Sequence, residues 1–485
     1  MLKSLFKDTA IYGLSSIVGR FLNYLLVPIY TVKISAASGG YGVVTNVYAY
    51  TALLMVLLTY GMETTLFRYA NKPGQDLRRV YSTVLASVGT TALGFVVLVL
   101  LCLGPVSRWM GYPDHPEWIG VMAVVVAIDV VRCFPFALLR LEQKAMKFAA
   151  LQLFNILLTI ALNLIYFFPL GGSDVSYIFY INLVSSVATT LMLCRELSLF
   201  RLSLASGRLL REMLRYAWPI LVLGLAGILN QTADKLLFPY IYKGDDAMTQ
   251  LGIYGASVKI AMIMAMITQA FRYAYEPFIF GGARRREQDQ KQTQAQAMLW
   301  FVLFTLLAYL AVVGYMPLLR HLIGRDYWSG LRVVPIVMAA EIMMGVYFNL
   351  SFWYKLTDRT VWGAVFSGVG CAVLVGVNVA FVPRYGYMAC AWGGVAGYGT
   401  AMLLSYVVGQ HYYPIRFPLL TIFGFAALCA VLAWPMTLAG ERLSMLPALA
   451  VNSVLMAVFA AAIAATVLRQ RRRSLHRAGN LRIKN

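Results

Sequence analysis

Ten ionisable side chains of this 485-residue chain stand within apolar stretches or at their ends: Arg20, Glu63, Asp129, Arg132, Asp234, Lys235, Lys259, Arg272, Glu276 and Glu341. A charge at bilayer depth costs about 2.5–3.5 kcal/mol unless it faces protein or water, so each of the ten is a functional candidate by default. Helical spacing sorts them. Asp129 and Arg132 are i,i+3 neighbours and Arg272 and Glu276 are i,i+4 neighbours, so each can neutralise the other on its own helix. Asp234 and Lys235 are adjacent, point in different directions and need partners from elsewhere. Arg20 and Lys259 have no opposite charge within one turn and are the cations that spacing picks to line a cavity; Arg272, Lys235 and Arg132 are further candidates. Glu341 sits about ten residues into its stretch among Met338, Met343 and Met344. It is expected either to titrate during a transport cycle, since desolvation favours the neutral acid, or to pair with a cation on another span. Asp129, Asp234, Glu63 and Glu276 share this role of coupling or ion-pair carboxylate.

The elements that position these residues are membrane spans. The chain is 60% hydrophobic and 13% charged, against roughly 25% charged in soluble domains. Apolar runs of about 20 residues, the length needed to cross a bilayer, recur from 8–31 to 447–468 and number fourteen. The first resembles a signal peptide, with Lys3 and Lys7 ahead of it, but it is too long for a signal core and carries Arg20 and Asn23. It is expected to be retained. With both termini in the cytoplasm, the cytoplasmic loops and tail hold 28 Lys and Arg and the opposite loops 8, which fits the positive-inside rule. The net charge of +21 is therefore assigned to loops and to a basic tail, 469–485, facing anionic lipid rather than nucleic acid. The six cysteines fall in apolar runs without metal-ligand spacing and are expected to pack.

A repeat organises the spans. Tyr41-Gly42 opens the second and Glu63 closes it; Tyr254-Gly255 opens the eighth and Glu276 closes it at the same separation. The copies are offset by six spans, so each half starts on the same side and the repeat is parallel, of the kind that gives two bundles related by an axis along the membrane normal. The expected architecture is all-α. It has a lobe of six spans in 1–200, a second lobe in 201–412, two further spans in 413–468, and the tail. External loops are short, the longest about fourteen residues near 104–118, which leaves no room for a folded catalytic domain. Walker A, G-x-S-x-G and H-E-x-x-H patterns are absent, and all four histidines lie outside the spans. Transport is expected rather than catalysis, with no cofactor and no metal.

Several segments resemble the polysaccharide-transport branch of the superfamily that also holds multidrug exporters and the lipid II flippase. They are Gly19-Arg20-Phe21-Leu22-Asn23 with Pro28-Ile29-Tyr30, and Gly61-Met62-Glu63 through Phe67-Arg68-Tyr69. In the second half they are Tyr254-Gly255-Ala256-Ser257-Val258-Lys259, Phe271-Arg272-Tyr273-Ala274-Tyr275-Glu276, and Tyr347-Phe348-Asn349. The resemblance runs along essentially the whole chain. It implies a Wzx-type flippase for oligosaccharide linked through pyrophosphate to undecaprenol, moved from the inner to the outer leaflet of the bacterial cytoplasmic membrane for O-antigen, capsule or exopolysaccharide. It also implies alternating access, a cationic cavity to which Arg20, Lys259 and Arg272 are carried over by motif, a monomer, and a polysaccharide polymerase and chain-length regulator as partners. Lys235, Arg132 and Glu341 enter on depth alone. A multidrug or small-molecule exporter, a lipid II flippase and a membrane-embedded polymerase, ligase or acyltransferase stand as alternatives.

Overall fold

The computed structural model describes residues 22, 24–281, 287–357 and 359–482, and among them every regular element is helical. In chain order the principal helices are α1 (Leu26–Lys33), α2 (Gly40–Thr59), α3 (Met62–Ala70), α4 (Leu77–Leu101), α5 (Pro116–Leu141), α6 (Ala145–Phe167) and α7 (Ser176–Met192). They continue with α8 (Gly207–Ile241), α9 (Ala247–Gly281), α10 (Glu287–Gly314), α11 (Val334–Leu350), α12 (Val361–Tyr385), α13 (Tyr387–Tyr412), α14 (Leu419–Arg442) and α15 (Met445–Arg482). Eleven helical segments among the described residues are long and apolar enough to cross a membrane, and α7 is a shorter apolar helix. Helix α13 spans 26 residues, and α1 is the described end of the first apolar run. Thirteen of the fourteen segments thus correspond to described helices and most of the first lies outside the described residues; the chain is a multi-pass α-helical membrane protein.

Several helices run past the apolar stretches that suggest them, α8, α10 and α15 among them. Helix α8 begins at Gly207, where Ser206 caps it by accepting from the Leu209 N–H, so the basic stretch Arg208–Arg215 is helix rather than loop. Helix α15 continues through the basic stretch to Arg482 instead of stopping near 468.

The chain divides into two compact units, Met1–Lys259 with Ser367–Gly397, and Ile260–Phe366 with Tyr398–Asn485. Lipid tails are as apolar as Leu, so helices in a bilayer associate through close packing and interhelical hydrogen bonds. The first unit shows both. Where the start of α2 meets the start of α9, a Cβ on Gly252 would lie 2.9 Å from the Gly42 backbone nitrogen, and one on Gly42 would run into the Met248 carbonyl. The glycines thus let two backbones touch. Beside them Asn46 on α2 donates to the Lys235 carbonyl on α8 at 2.9 Å, and Tyr112 donates to the Asn46 amide oxygen at 2.8 Å. Tyr112 is buried in the connection before α5, and burial pushes its hydroxyl above the usual phenol range, so it stays a donor. The apolar core of this unit joins Met62, Leu66, Val84, Val88, Val130 and Phe134 from α3, α4 and α5.

In the second unit Leu299, Val302, Leu306 and Leu310 of α10 pack with Phe425, Cys429 and Met436 of α14 and Phe459 of α15. Asn452 of α15 ties in by donating to the Gly314 carbonyl at 2.7 Å.

Gly42→Ala places a methyl group against backbone that cannot yield, an overpacking cost of about 1–3 kcal/mol. Gly94→Ala, in helix α4 with nothing within 4 Å of the new Cβ, is expected to hold or raise stability because alanine suits a helix interior better. Thermal unfolding of the two variants in detergent should therefore move in opposite directions from the parent protein.

Candidate functional site

Helix α5 carries three of the charged groups that matter in the first unit, and a cavity of about 320 Å³ opens beside it. Its polar wall is Glu63, Asp129, Arg132, Arg140 and Gln152, and Met55, Phe136 and Phe148 supply apolar surface. The expected i,i+3 pair forms: Arg132 Nη2 lies 2.7 Å from Asp129 Oδ1, with side chains 13% and 23% exposed. Neighbouring helices hold both ends of it. Ser186 on α7 donates to Asp129 Oδ1 at 2.7 Å, and Arg132 Nη1 donates to Asn155 Oδ1 on α6 at 3.2 Å. Thr189 donates to the same amide oxygen at 3.0 Å.

A second pair stands closer to the end of α5. Arg140 Nη1 donates to Glu63 Oε1 at 2.9 Å, and the two side chains are 43% and 45% exposed. Glu63 gets there because the helix breaks between α2 and α3, where Tyr60 at φ 33° and Gly61 at φ 72° both occupy the left-handed region. Helix α3 then starts afresh with Glu63 in its first turn, where the helix dipole favours a carboxylate. Arg140 also lies over the Phe67 ring, 4.9 Å from its centroid. The apolar run ends at 139, which makes Arg140 a loop charge by sequence alone. Its partner is 77 positions away, so no local spacing could have revealed the pair.

The second group lies on α8 and α9. The expectation that Asp234 and Lys235 need partners from elsewhere is corrected by the structure. The four-carbon lysine stem folds back so that Nζ sits 3.0 Å from both Asp234 oxygens, while the Lys235 N–H donates to Oδ1 at 2.9 Å. Adjacent Cβ directions diverge on a helix, but the flexible lysine chain overrides that divergence. Tyr254 donates to Asp234 Oδ2 at 2.6 Å and Lys235 Nζ to the Gln231 carbonyl at 3.0 Å, so this carboxylate and ammonium are satisfied nearly in full.

Lys259 differs. It lies half-buried on α9, no described carboxylate pairs with it, and the neighbouring charge that acts on it is the ammonium of Lys235. Among the described residues, the charges singled out in this unit, with Arg140 added, are the cations Arg132, Arg140, Lys235 and Lys259 and the carboxylates Glu63, Asp129 and Asp234. The surplus positive charge of that set resides on Lys259.

In the second unit, Arg272 lies half-buried with its guanidinium 4.4 Å from the Phe348 ring centroid, a cation–π contact that sets its charge over an aromatic face. Glu341 is half-buried on α11 and is not an isolated carboxylate. Arg20 and the side chain of Glu276 lie outside the described residues.

The fold is that of solved transporters and flippases. A structure titled lipid II flippase MurJ, inward closed conformation, superposes with a TM-score of 0.75 at 10% identity, covering 94% of this chain and 99% of that one. A multidrug resistance MATE family transporter of the MOP superfamily, inward-facing, gives 0.62 at 16%, covering 83% and 94%. The MATE multidrug transporter DinF-BH gives 0.62 at 15%, covering 84% and 95%. No curated protein matches the sequence. The family model described as polysaccharide biosynthesis protein matches residues 5–279, more than half of the sequence. With membrane-embedded charges, an all-helical transporter fold and that match together, the chain belongs to the polysaccharide biosynthesis protein family.

Proposed function

We propose that the chain is a flippase that turns undecaprenyl-pyrophosphate-linked oligosaccharide from the inner to the outer leaflet of the bacterial cytoplasmic membrane, for O-antigen, capsule or exopolysaccharide. The observation that carries this reading is Lys259, a membrane-embedded cation without a carboxylate partner among the described residues. An uncompensated ammonium in a low-dielectric setting attracts a phosphate much more strongly than one at the surface, and charge-assisted hydrogen bonds to phosphate are about twice as strong as neutral ones. The pyrophosphate is the part shared by lipid-linked glycans of any sugar sequence. Firm hold on it and weak hold on the sugars suit release on the far side. Family membership and the likeness to a structure titled as a lipid II flippase support the same reading.

The proposed cycle is alternating access by two six-helix lobes, 1–200 and 201–412, with two accessory spans in 413–468, both termini in the cytoplasm and the basic tail on the inner leaflet. Lys259, Arg272, Lys235, Arg132 and Arg20 are the proposed cavity cations, and Glu341, Asp129, Asp234, Glu63 and Glu276 the carboxylates that balance them or couple transport. A small-molecule exporter is the second reading, supported by the MATE likeness. A cationic substrate would be repelled by Lys259, which favours the first.

The test is exchange of fluorescent undecaprenyl-pyrophosphate oligosaccharide between leaflets of liposomes, read as accessibility to an impermeant quencher. The parent protein should accelerate exchange, Lys259→Met should lower the rate roughly tenfold or more, and Lys259→Arg should retain most of it. Exchange no faster than in empty liposomes would overturn the reading. Lys235 should behave differently because its charge is already balanced. Asp234→Leu alone is expected to destabilise the fold by about 3–5 kcal/mol by stranding an ammonium, and the double variant Asp234→Leu/Lys235→Met to recover most of that loss, measured by thermal unfolding in detergent.

A further inference from the structure

The cavity beside α5 is not needed to make two ion pairs. Glu63 with Arg140, and Asp129 with Arg132, would satisfy each other in a filled interior, yet about 320 Å³ of space is left against all four. That volume is at the lower end of small-ligand sites. Gln152, whose amide has no partner among the described residues, lines the same space. The guanidinium forks are only partly used. Arg140 gives Glu63 a single hydrogen bond, to Oε1, and an arginine has five N–H donors. The two stations are graded in depth: the Glu63–Arg140 side chains are nearly half exposed, the Asp129–Arg132 side chains 23% or less. Eight residues of α5 separate the arginines, a rise of about 12 Å along the helix, so they stand at two successive levels of the same cavity.

We propose that this cavity is a two-station pyrophosphate ladder whose rungs are arginines capped by displaceable carboxylates. The idea rests on the flippase reading and adds to it how the headgroup is selected. The ligand class is an isoprenyl-linked pyrophosphate. It displaces Glu63 from Arg140 first, then Asp129 from Arg132, which stays aimed by Asn155. The caps serve two purposes. They neutralise guanidiniums that would otherwise stand unpaired at membrane depth. They also set a threshold, since a phosphodiester with one negative charge only exchanges like for like with a carboxylate, while a pyrophosphate brings at least two. Bulk phospholipid is thereby excluded by competition rather than by shape.

The signature is that removing an acid tightens binding. Equilibrium binding of farnesyl pyrophosphate to the full chain in detergent should be roughly tenfold tighter for Asp129→Asn and for Glu63→Gln than for the parent, and roughly tenfold weaker for Arg132→Gln. Asparagine at 129 can still accept from Ser186, and Glu63→Gln is a second variant at a more exposed position should the first fold poorly. In the liposome assay the same two acid variants should flip more slowly, because a headgroup that no cap displaces is released late. Inorganic pyrophosphate, run in parallel, should bind more weakly than farnesyl pyrophosphate; equal affinity would overturn the assignment to a lipid-linked ligand. Unchanged or weaker binding by both acid variants, in a parent that flips, would overturn the ladder and leave the flippase standing. A parent that neither binds farnesyl pyrophosphate nor flips would overturn both.

Discussion

The structure of the first unit is governed by the cost of placing charge where lipid would otherwise be. Glu63, Asp129 and Asp234 are each met by a cation, and the two deeper pairs are braced by neutral groups from other helices: Ser186 and Asn155 for Asp129 and Arg132, Tyr254 for Asp234. Such bracing matters because two desolvated charges repay their dehydration only when the remaining lone pairs and protons are also satisfied. Against that rule Lys259 stands out. Among the described residues it has no carboxylate partner, and on the proposed function that is the place for a negative charge that arrives and leaves.

Backbone features serve the same arrangement. The left-handed break at Tyr60 and Gly61 ends one helix and starts another, which delivers Glu63 to Arg140. The glycine contact of α2 with α9 brings Asn46 within reach of the α8 backbone, next to Asp234 and Lys235. Because apolar side chains gain nothing from leaving lipid for protein, these contacts and the interhelical amides carry the specificity that a hydrophobic core carries in a soluble protein.

The membrane class and the helices are plain in the sequence, since runs such as α4 and α5 are long, apolar and bounded by charge. The Asp129–Arg132 pair is legible from helical spacing because both partners lie on one face. Lys259 is legible as a cation without an opposite charge on its own helix for the converse reason, and no carboxylate among the described residues pairs with it. Glu63 with Arg140 is hidden by a separation of 77 positions and by an apolar run that stops one residue short of Arg140. The Asp234–Lys235 pair escapes a reading based on Cβ direction, because that direction does not decide where a four-carbon chain can place its ammonium. The bracing residues Ser186 and Thr189 carry no signal of their own in the sequence, because a serine or threonine in a span more often bonds back to its own helix.

The most direct test of the central claim is to ask what the protein carries when taken from the membrane in which it works. Native mass spectrometry of gently released parent protein and of Lys259→Met would identify the bound lipid. The account predicts an isoprenyl-pyrophosphate species on the parent protein and its loss from the variant, with ordinary phospholipid unchanged between them. The same isoprenyl occupancy on both proteins, or phospholipid alone on both, would contradict it.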